Sequence, residues 1–488
     1  MRRSLARLSC ALLVVSACRS APRDPFAGVD PLHSAAAIVD GTAPASVPRD
    51  TVDAELSIRL LRAKWTLREQ PAEGRDFWSD VALLDTPNAE RAARSMDERT
   101  FAVALRTLLD GQPAAAAMAF GLLHAAAVDS IVRARARIGL TMALSYDSDW
   151  ATMSRLSARP SIDSMANSLA LAAGVERWAK ALSAIPAPVF DIPDDAVVLP
   201  MRRSFLGTPV VTIRINGKPH EFWLDTGASM TLLSTDVAIA AGAKLAADDT
   251  LALGVVGGNI EARAIYIDSL SIGPVRIHGL GAALVSPEAL RFDQRTVNGI
   301  RTHVPIDGMI GTDVLRHLDV VMDAKAGTIT LRRPRRHGNA LRNLFWVGYP
   351  VVRLVTRDGR PLLFGLDTGA EGTYVTNTLL QKLPRTPVAA RRNSLIGLGS
   401  DKTKDAKKST WVARHVPLSD GNYAISLNNV PIMPAQRWTF VEFDGVIGSD
   451  IALATRMHLD FTNGVFDIRA SEASTATMDG APDVKVVY

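Results

Sequence analysis

The chain has 488 residues, 47% of them hydrophobic, which is enough for roughly three domains with substantial cores. Its formal charge is +5, from 55 basic and 50 acidic residues. Arg2, Arg3 and Arg7 supply three of those charges within residues 1–17, so the remainder is close to balanced, and a general nucleic-acid binder is excluded.

Residues 1–17 combine a basic start, an apolar run through Val15 and a small-residue end, the pattern of a secretory signal peptide. Val15–Cys18 resembles the lipobox of bacterial lipoproteins, with Val15 where Leu is usual, so Cys18 is a candidate for lipidation; ordinary cleavage after Ala17 is the alternative. Either way the pattern predicts an exported protein, in the bacterial periplasm or held at a membrane only through a lipid anchor. Cys10 leaves with the signal, so the mature chain has one Cys at most and no internal disulfide. No later stretch has the 18 or so apolar residues of a membrane span.

Residues 18–52, rich in Pro, Ala, Ser and Asp, read as a tether. Over 53–183 apolar residues recur at helical spacing, with helices at Ala114–Leu123 and Ile131–Leu144 joined near Asp129 and a break at Asp147–Trp150. This predicts a helical domain, either a plain bundle or a weak likeness to tetratricopeptide hairpins, with three roles open: a surface for a protein partner, a regulator of the rest of the chain, or a spacer from a membrane. Three prolines then mark a linker at 184–195.

From residue 196 the texture becomes β-rich. Val210–Ile215 alternates and leads into Asn216-Gly217, a type I′ hairpin signal; Val351–Val355 repeats the idea with Asp358-Gly359 in the turn. Each hairpin runs into a thirteen-residue phrase, GKPHEFWLDTGAS at 217–229 and GRPLLFGLDTGAE at 359–371, identical at eight positions. DGMIGTDVL from Asp307 recurs as DGVIGSDIA from Asp444, and DAKAGTITLR from Asp323 corresponds to DFTNGVFDIR from Asp460. The offsets are 142 (367 − 225) and 137 (444 − 307), so the order and spacing define an internal repeat. Its units span 196–334 and 342–470, with a connector at 335–341 and a tail at 471–488. The basic run RRPRRH at 332–337 reads as a solvated linker.

The two units resemble the lobes of aspartic proteases in the compact retropepsin-like style, arranged in one chain as pepsins are. The motifs are Asp225-Thr226-Gly227-Ala228 with Met309-Ile310-Gly311, and Asp367-Thr368-Gly369-Ala370 with Val446-Ile447-Gly448. The implied fold is an N-terminal helical domain followed by two homologous β-rich acid-protease lobes. The resemblance implies an endopeptidase without a cofactor, acting on a peptide or protein substrate as a monomer. Asp225 and Asp367 would share one proton and activate water. Thr226 and Thr368 would bond across the axis, and Gly227 and Gly369 would admit the tight loops. Both halves carry Ala where pepsins carry Ser, which removes a donor to the carboxylates and predicts a mildly acidic optimum.

Glycine-rich stretches at 254–259 (Gly254, Gly257, Gly258) and 397–408 (Gly397, Gly399) are the candidate flaps; the first is apolar and the second carries four lysines against two aspartates. Retroviral enzymes place a bracing Arg after Ile-Gly, whereas this chain has Thr312-Asp313 and Ser449-Asp450, so its bracing must differ. The nine histidines form no His-Glu-x-x-His motif, and His220 reads as a strand-surface residue. A binding lipoprotein on the same fold, catalytically silent, is the second reading.

Overall fold

The computed structural model describes residues 57–61, 65–68, 75–157, 166–255, 258–295, 301–337, 342–392, 409–434, 436–438, 441–470 and 484–485. The signal, the tether, Cys18, Gly257, Gly397 and Gly399 lie outside the described residues.

The first part of the described chain is helical: Phe77–Ala82, Thr86–Ala92, Met96–Leu109, Pro113–Ala126, Ser130–Tyr146, Trp150–Ser157 and Ala166–Leu182. Local chemistry sets their starts. Asp76, Ser95 and Asp129 each turn a side-chain oxygen back onto first-turn amides, with Asp129 Oδ1 accepting from Ile131 N at 2.7 Å. Pro113 opens its helix at the first position, where no amide is needed. Gly139 lets Pro113–Ala126 and Ser130–Tyr146 close up, because a Cβ there would strike the Phe120 ring. Phe101, Phe120, Leu105 and Val132 form the buried seam.

The helical reading begins too early. Ser57–Leu61 is a strand, paired antiparallel with Ala424–Asn428 far along the chain. Ser-Ile-Arg-Leu-Leu is too short to show helical spacing, and its apolar Ile58 fills a sheet core instead.

The rest is β-rich, with a 10-stranded and a 12-stranded sheet among the described residues. In the first, Pro209–Ile215 and Lys218–Leu224 form a hairpin whose turn residues Asn216 and Gly217 both have positive φ (48° and 84°), as a type I′ turn requires. In the second, Pro350–Val355 pairs with Pro361–Leu366, but only Gly359 (φ 85°) has positive φ. Its turn is therefore not type I′; Gly359 N bonds Thr356 O and Thr356 N bonds Arg360 O, giving a longer loop.

In each sheet the strand before Asp-Thr-Gly runs parallel to the Ile-Gly strand. Leu224 stands opposite Ile310, and Leu366 opposite Ile447. The strand after the motif, Leu232–Ser234 or Tyr374–Thr376, runs antiparallel on the other side of the Ile-Gly strand. Both Asp-Thr-Gly loops thus leave from the buried ends of strands that are paired on both sides.

A five-stranded sheet joins the two repeat units: Val197–Pro200, Thr328–Arg332, Asp319–Asp323, Arg456–Asp460 and Val465–Arg469, in that order. Its central pair is antiparallel, and Val321 faces His458, its own counterpart at the offset of 137 (458 − 321). The 196–334 and 342–470 stretches are therefore not closed in separate sheets.

Two linker readings also change. Val189–Asp191, inside the proline-marked 184–195, is a strand on the edge of the first sheet, where prolines on either side cost no ladder bond. The basic run is solvated, with Arg333, Arg335, Arg336 and His337 exposed, but it is also tied down. Arg333 pairs with Asp194 at 3.2 Å and bonds Ile192 O, and Arg336 donates to Gly111 O at 2.9 Å. Backbone carbonyls and two acids, Asp194 and Asp319, take up part of the charge that suggested a free linker.

Candidate active site

The two Asp-Thr-Gly loops meet. Thr226 N donates to Thr368 Oγ1 at 3.0 Å, and Thr368 N donates to Thr226 Oγ1 at 2.9 Å. Each hydroxyl in turn donates to the carbonyl before the other loop's Asp, Thr226 Oγ1 to Leu366 O at 3.0 Å and Thr368 Oγ1 to Leu224 O at 2.7 Å. All four groups are fully buried, so each bond replaces one that water cannot supply.

This lattice brings Asp225 and Asp367 together. A Cβ on Gly227 would lie 2.7 Å from Asp367 Oδ2, and one on Gly369 would lie 2.5 Å from Asp225 Oδ1. Each glycine is thus the surface on which the opposite carboxyl rests. Asp225 Oδ1 accepts from Gly227 N (2.8 Å) and Ala228 N (3.2 Å), and Asp367 Oδ1 accepts from Gly369 N (3.0 Å) and Ala370 N (3.0 Å). The two carboxyls also act on each other directly, so that neither titrates alone.

Burial pushes both carboxyls above the ordinary aspartate range, and for Asp367 the Asp225 charge adds to it, placing it well above. Backbone donors pull the other way without prevailing. Two carboxyls this close titrate as a unit and keep one proton between them. Such a pair can take a proton from water with one oxygen and donate one with another.

Bracing comes from the acids that follow Ile-Gly. Asp313 accepts from Thr231 N (2.8 Å), Thr231 Oγ1 (3.0 Å) and Val314 N (3.0 Å). Asp450 accepts from Thr373 N (2.8 Å), Thr373 Oγ1 (2.5 Å) and Ile451 N (2.8 Å). Burial raises both to about 6. Thr312 N and Oγ1 donate to Ala228 O, and Ser449 N to Ala370 O, stitching each short following helix to the loop beside its Asp. Asp307 and Asp444 perform a third paired task, accepting from Glu221 N and Leu363 N at 3.0 and 2.7 Å. The recurring Asp-Gly and Ile-Gly-Thr/Ser-Asp phrases held this information. A single-residue likeness to the retroviral Arg did not lead to it.

The other candidates fall as follows. Gly254 and Gly258 belong to a hairpin, Leu251–Val255 with Gly258–Ile272, in which Gly254 pairs with Asn259. Helix Ala166–Leu182 backs this hairpin, with Trp178 Nε1 donating to Ala252 O at 3.0 Å; nothing in the sequence signalled that contact. His220 is half-buried with Nδ1 3.6 Å from Asp307 Oδ2, less of a surface residue than its strand position suggested.

Residues 211–314 match the family model described as Aspartyl protease, a span that contains Asp225, Thr226, Gly227 and Gly311. Among solved structures, the chain is similar to a retropepsin-like aspartic protease from Rickettsia conorii, at 14% identity over 30% of this chain and 95% of that one, TM-score 0.19. It is also similar to the aspartic proteinase from Irpex lacteus, at 12% identity over 58% of this chain and 99% of that one, TM-score 0.34. No curated protein matches the chain. The family match supports a protease-type function.

Proposed function

We propose that the protein is an aspartic endopeptidase whose two repeat units act as the two lobes of one active site. Asp225 and Asp367 are its catalytic pair. The observation that carries this reading is their mutual approach: each carboxyl lies against the glycine of the other's loop, with the threonine lattice beneath. The ionised carboxyl draws a proton from a water held between the pair, and the protonated one donates to the scissile carbonyl, so no covalent acyl-enzyme forms. Thr226, Thr368, Gly227 and Gly369 hold the loops, and the Leu251–Ile272 hairpin serves as a flap.

The test is cleavage of a peptide library by the purified protein, with and without pepstatin, beside Asp225→Asn and Asp367→Asn. Cleavage confined to the unmodified protein supports the assignment. Undiminished cleavage in either variant refutes it, and no cleavage by any form favours a binding protein. Export is part of the same reading and rests on the pattern of residues 1–18. Cys18→Ser should abolish labelling by radioactive palmitate in a bacterial host, and persistent labelling would remove the lipid anchor.

A further inference from the structure

The helical part and the β-rich part are joined by arginines that enter helix ends. Arg353 Nη2 donates to Leu84 O (2.9 Å), just past Phe77–Ala82. Arg342 Nε donates to Leu109 O (2.9 Å), the last residue of Met96–Leu109, while Arg336 reaches Gly111 O beyond it. Arg316 donates to Ser145 O (2.6 Å) and Tyr146 O, the last two residues of Ser130–Tyr146, and to Ser148 Oγ at 3.1 Å. A helix C-terminus carries unsatisfied carbonyls and partial negative charge, so each guanidinium finds there the acceptors and the sign it needs.

Arg316 differs from the others in two ways. It is only 2% exposed, and its guanidinium lies over two rings, Trp346 and Tyr146 at 5.0 and 5.5 Å, where Arg353 lies over one, Phe345 at 4.6 Å. It also directly follows the helix Thr312–Leu315, whose Thr312 and Asp313 hold Ala228 O and Thr231. Ala228 N in turn donates to Asp225 Oδ1. The second repeat unit carries Leu453 at the matching place (453 − 316 = 137), so it has no arginine there to make such a link for the Asp367 loop.

We infer that Arg316 is a positioning residue for Asp225, through which the end of helix Ser130–Tyr146 holds one of the two loops in register with the other. This rests on the endopeptidase reading. It makes the helical part a member of the active-site support, where a spacer would leave the loop untouched.

The experiment uses the full chain and three variants, Arg316→Gln, Arg316→Lys and Arg342→Gln. Arg342 caps a helix end from the start of the second repeat unit, and its bonds go to Leu109, Thr462 and Phe461, away from both Asp loops. Arg316→Gln should lower kcat about a hundredfold, the scale of a displaced catalytic group, with KM nearly unchanged. Arg316→Lys should fall about tenfold, because a single ammonium keeps the charge without the planar fork. Arg342→Gln should lose thermal stability and keep its kcat. Amide exchange at residues 228–231 should quicken in both Arg316 variants and not in Arg342→Gln. Wild-type kcat and exchange in a folded Arg316→Gln would overturn the inference; if that variant does not fold, the same result in Arg316→Lys overturns it. Should the unmodified protein cleave nothing, the endopeptidase reading fails separately, and the exchange rates alone decide whether Arg316 holds the loop.

Discussion

Thr226 and Thr368 hold each other: each backbone N–H is donated to the other's hydroxyl, and each hydroxyl is donated across to the other strand's last carbonyl. The bonds span 140 to 144 residues of sequence and are wholly buried. Thr226→Val keeps the shape and removes a donor and an acceptor at once, stranding Leu366 O and Thr368 N. With about 1–3 kcal/mol for each of the two stranded groups, the variant should lose about 2–6 kcal/mol. Thr226→Ser, which keeps the hydroxyl, should lose under about 1.5 kcal/mol. Denaturant melts of the two variants check this, and equal losses would show that the methyl matters more than the lattice.

The glycine after each threonine gives a second, sharper prediction. Gly227→Ala would push a methyl against Asp367 Oδ2, 2.7 Å away, and Gly369→Ala would do the same to Asp225. Backbone and lattice are too well tied to retreat, so the carboxyls must part. A displacement near 1 Å is enough for a loss on the order of a hundredfold in kcat. Steady-state kinetics on either variant test this; retained turnover would mean that the carboxyls need not be so close.

Proton linkage makes a third. Burial raises Asp367, and the Asp225 charge raises it further. A carboxyl whose folded pKa exceeds its unfolded value of about 4 is most favourable to folding below that value, and this contribution is lost as pH rises through the folded pKa. Asp367→Asn cannot ionise, so it escapes that loss. The variant should gain stability relative to the unmodified protein between pH 4 and pH 8 while losing activity. Asp313, Asp420 and Asp450, all raised to about 6, follow the same sign but are present in both proteins and cancel in the comparison. Denaturation midpoints at the two pH values decide it: a relative loss at pH 8 would show that the pair is not under charge strain.

How much of this was legible in the sequence follows from how local each feature is. Asp225, Thr226 and Gly227 lie consecutively, their counterparts recur as a phrase, and the Asn216-Gly217 turn is encoded in two residues, so all could be read directly. The supporting acids were half legible: Asp313 and Asp450 recur in the repeat, yet their partners Thr231 and Thr373 lie 82 and 77 residues away. Strand Ser57–Leu61 was misread because its partners, Ala424–Asn428 and Val484–Lys485, both lie more than 360 residues downstream. Arg316 and Trp178 left no trace. An isolated Arg carries no pattern, and its acceptors are carbonyls, which every residue has.

Both repeat units place Ala where a hydroxyl would stand in pepsins, and this bears on the working pH. Ala228 N and Ala370 N each donate to the neighbouring Asp, so a side chain at either position begins beside the carboxyl. Ala228→Ser adds an O–H donor that favours the ionised form and lowers the pair's apparent pKa values. The unmodified protein should work best in mildly acid solution, and Ala228→Ser should shift its optimum downward. A profile of kcat/KM against pH for both proteins checks the direction; an optimum near pH 2 in the unmodified protein would contradict the effect assigned to the missing hydroxyl donors.

Trp178 links the helical part to the hairpin proposed as a flap. Its ring is 1% exposed, and its Nε1–H ends on Ala252 O, in the strand Leu251–Val255. Trp178→Phe keeps most of the buried apolar surface and drops the donor, leaving a backbone carbonyl unpaired at a cost of about 1–3 kcal/mol. That loss loosens the hairpin without touching the aspartates. If the hairpin closes on substrate, its loosening weakens binding in the ground state and the transition state alike, so KM should rise while kcat holds. The opposite split, a fall in kcat at constant KM, would place the hairpin with the loop supports and remove its assignment as a flap.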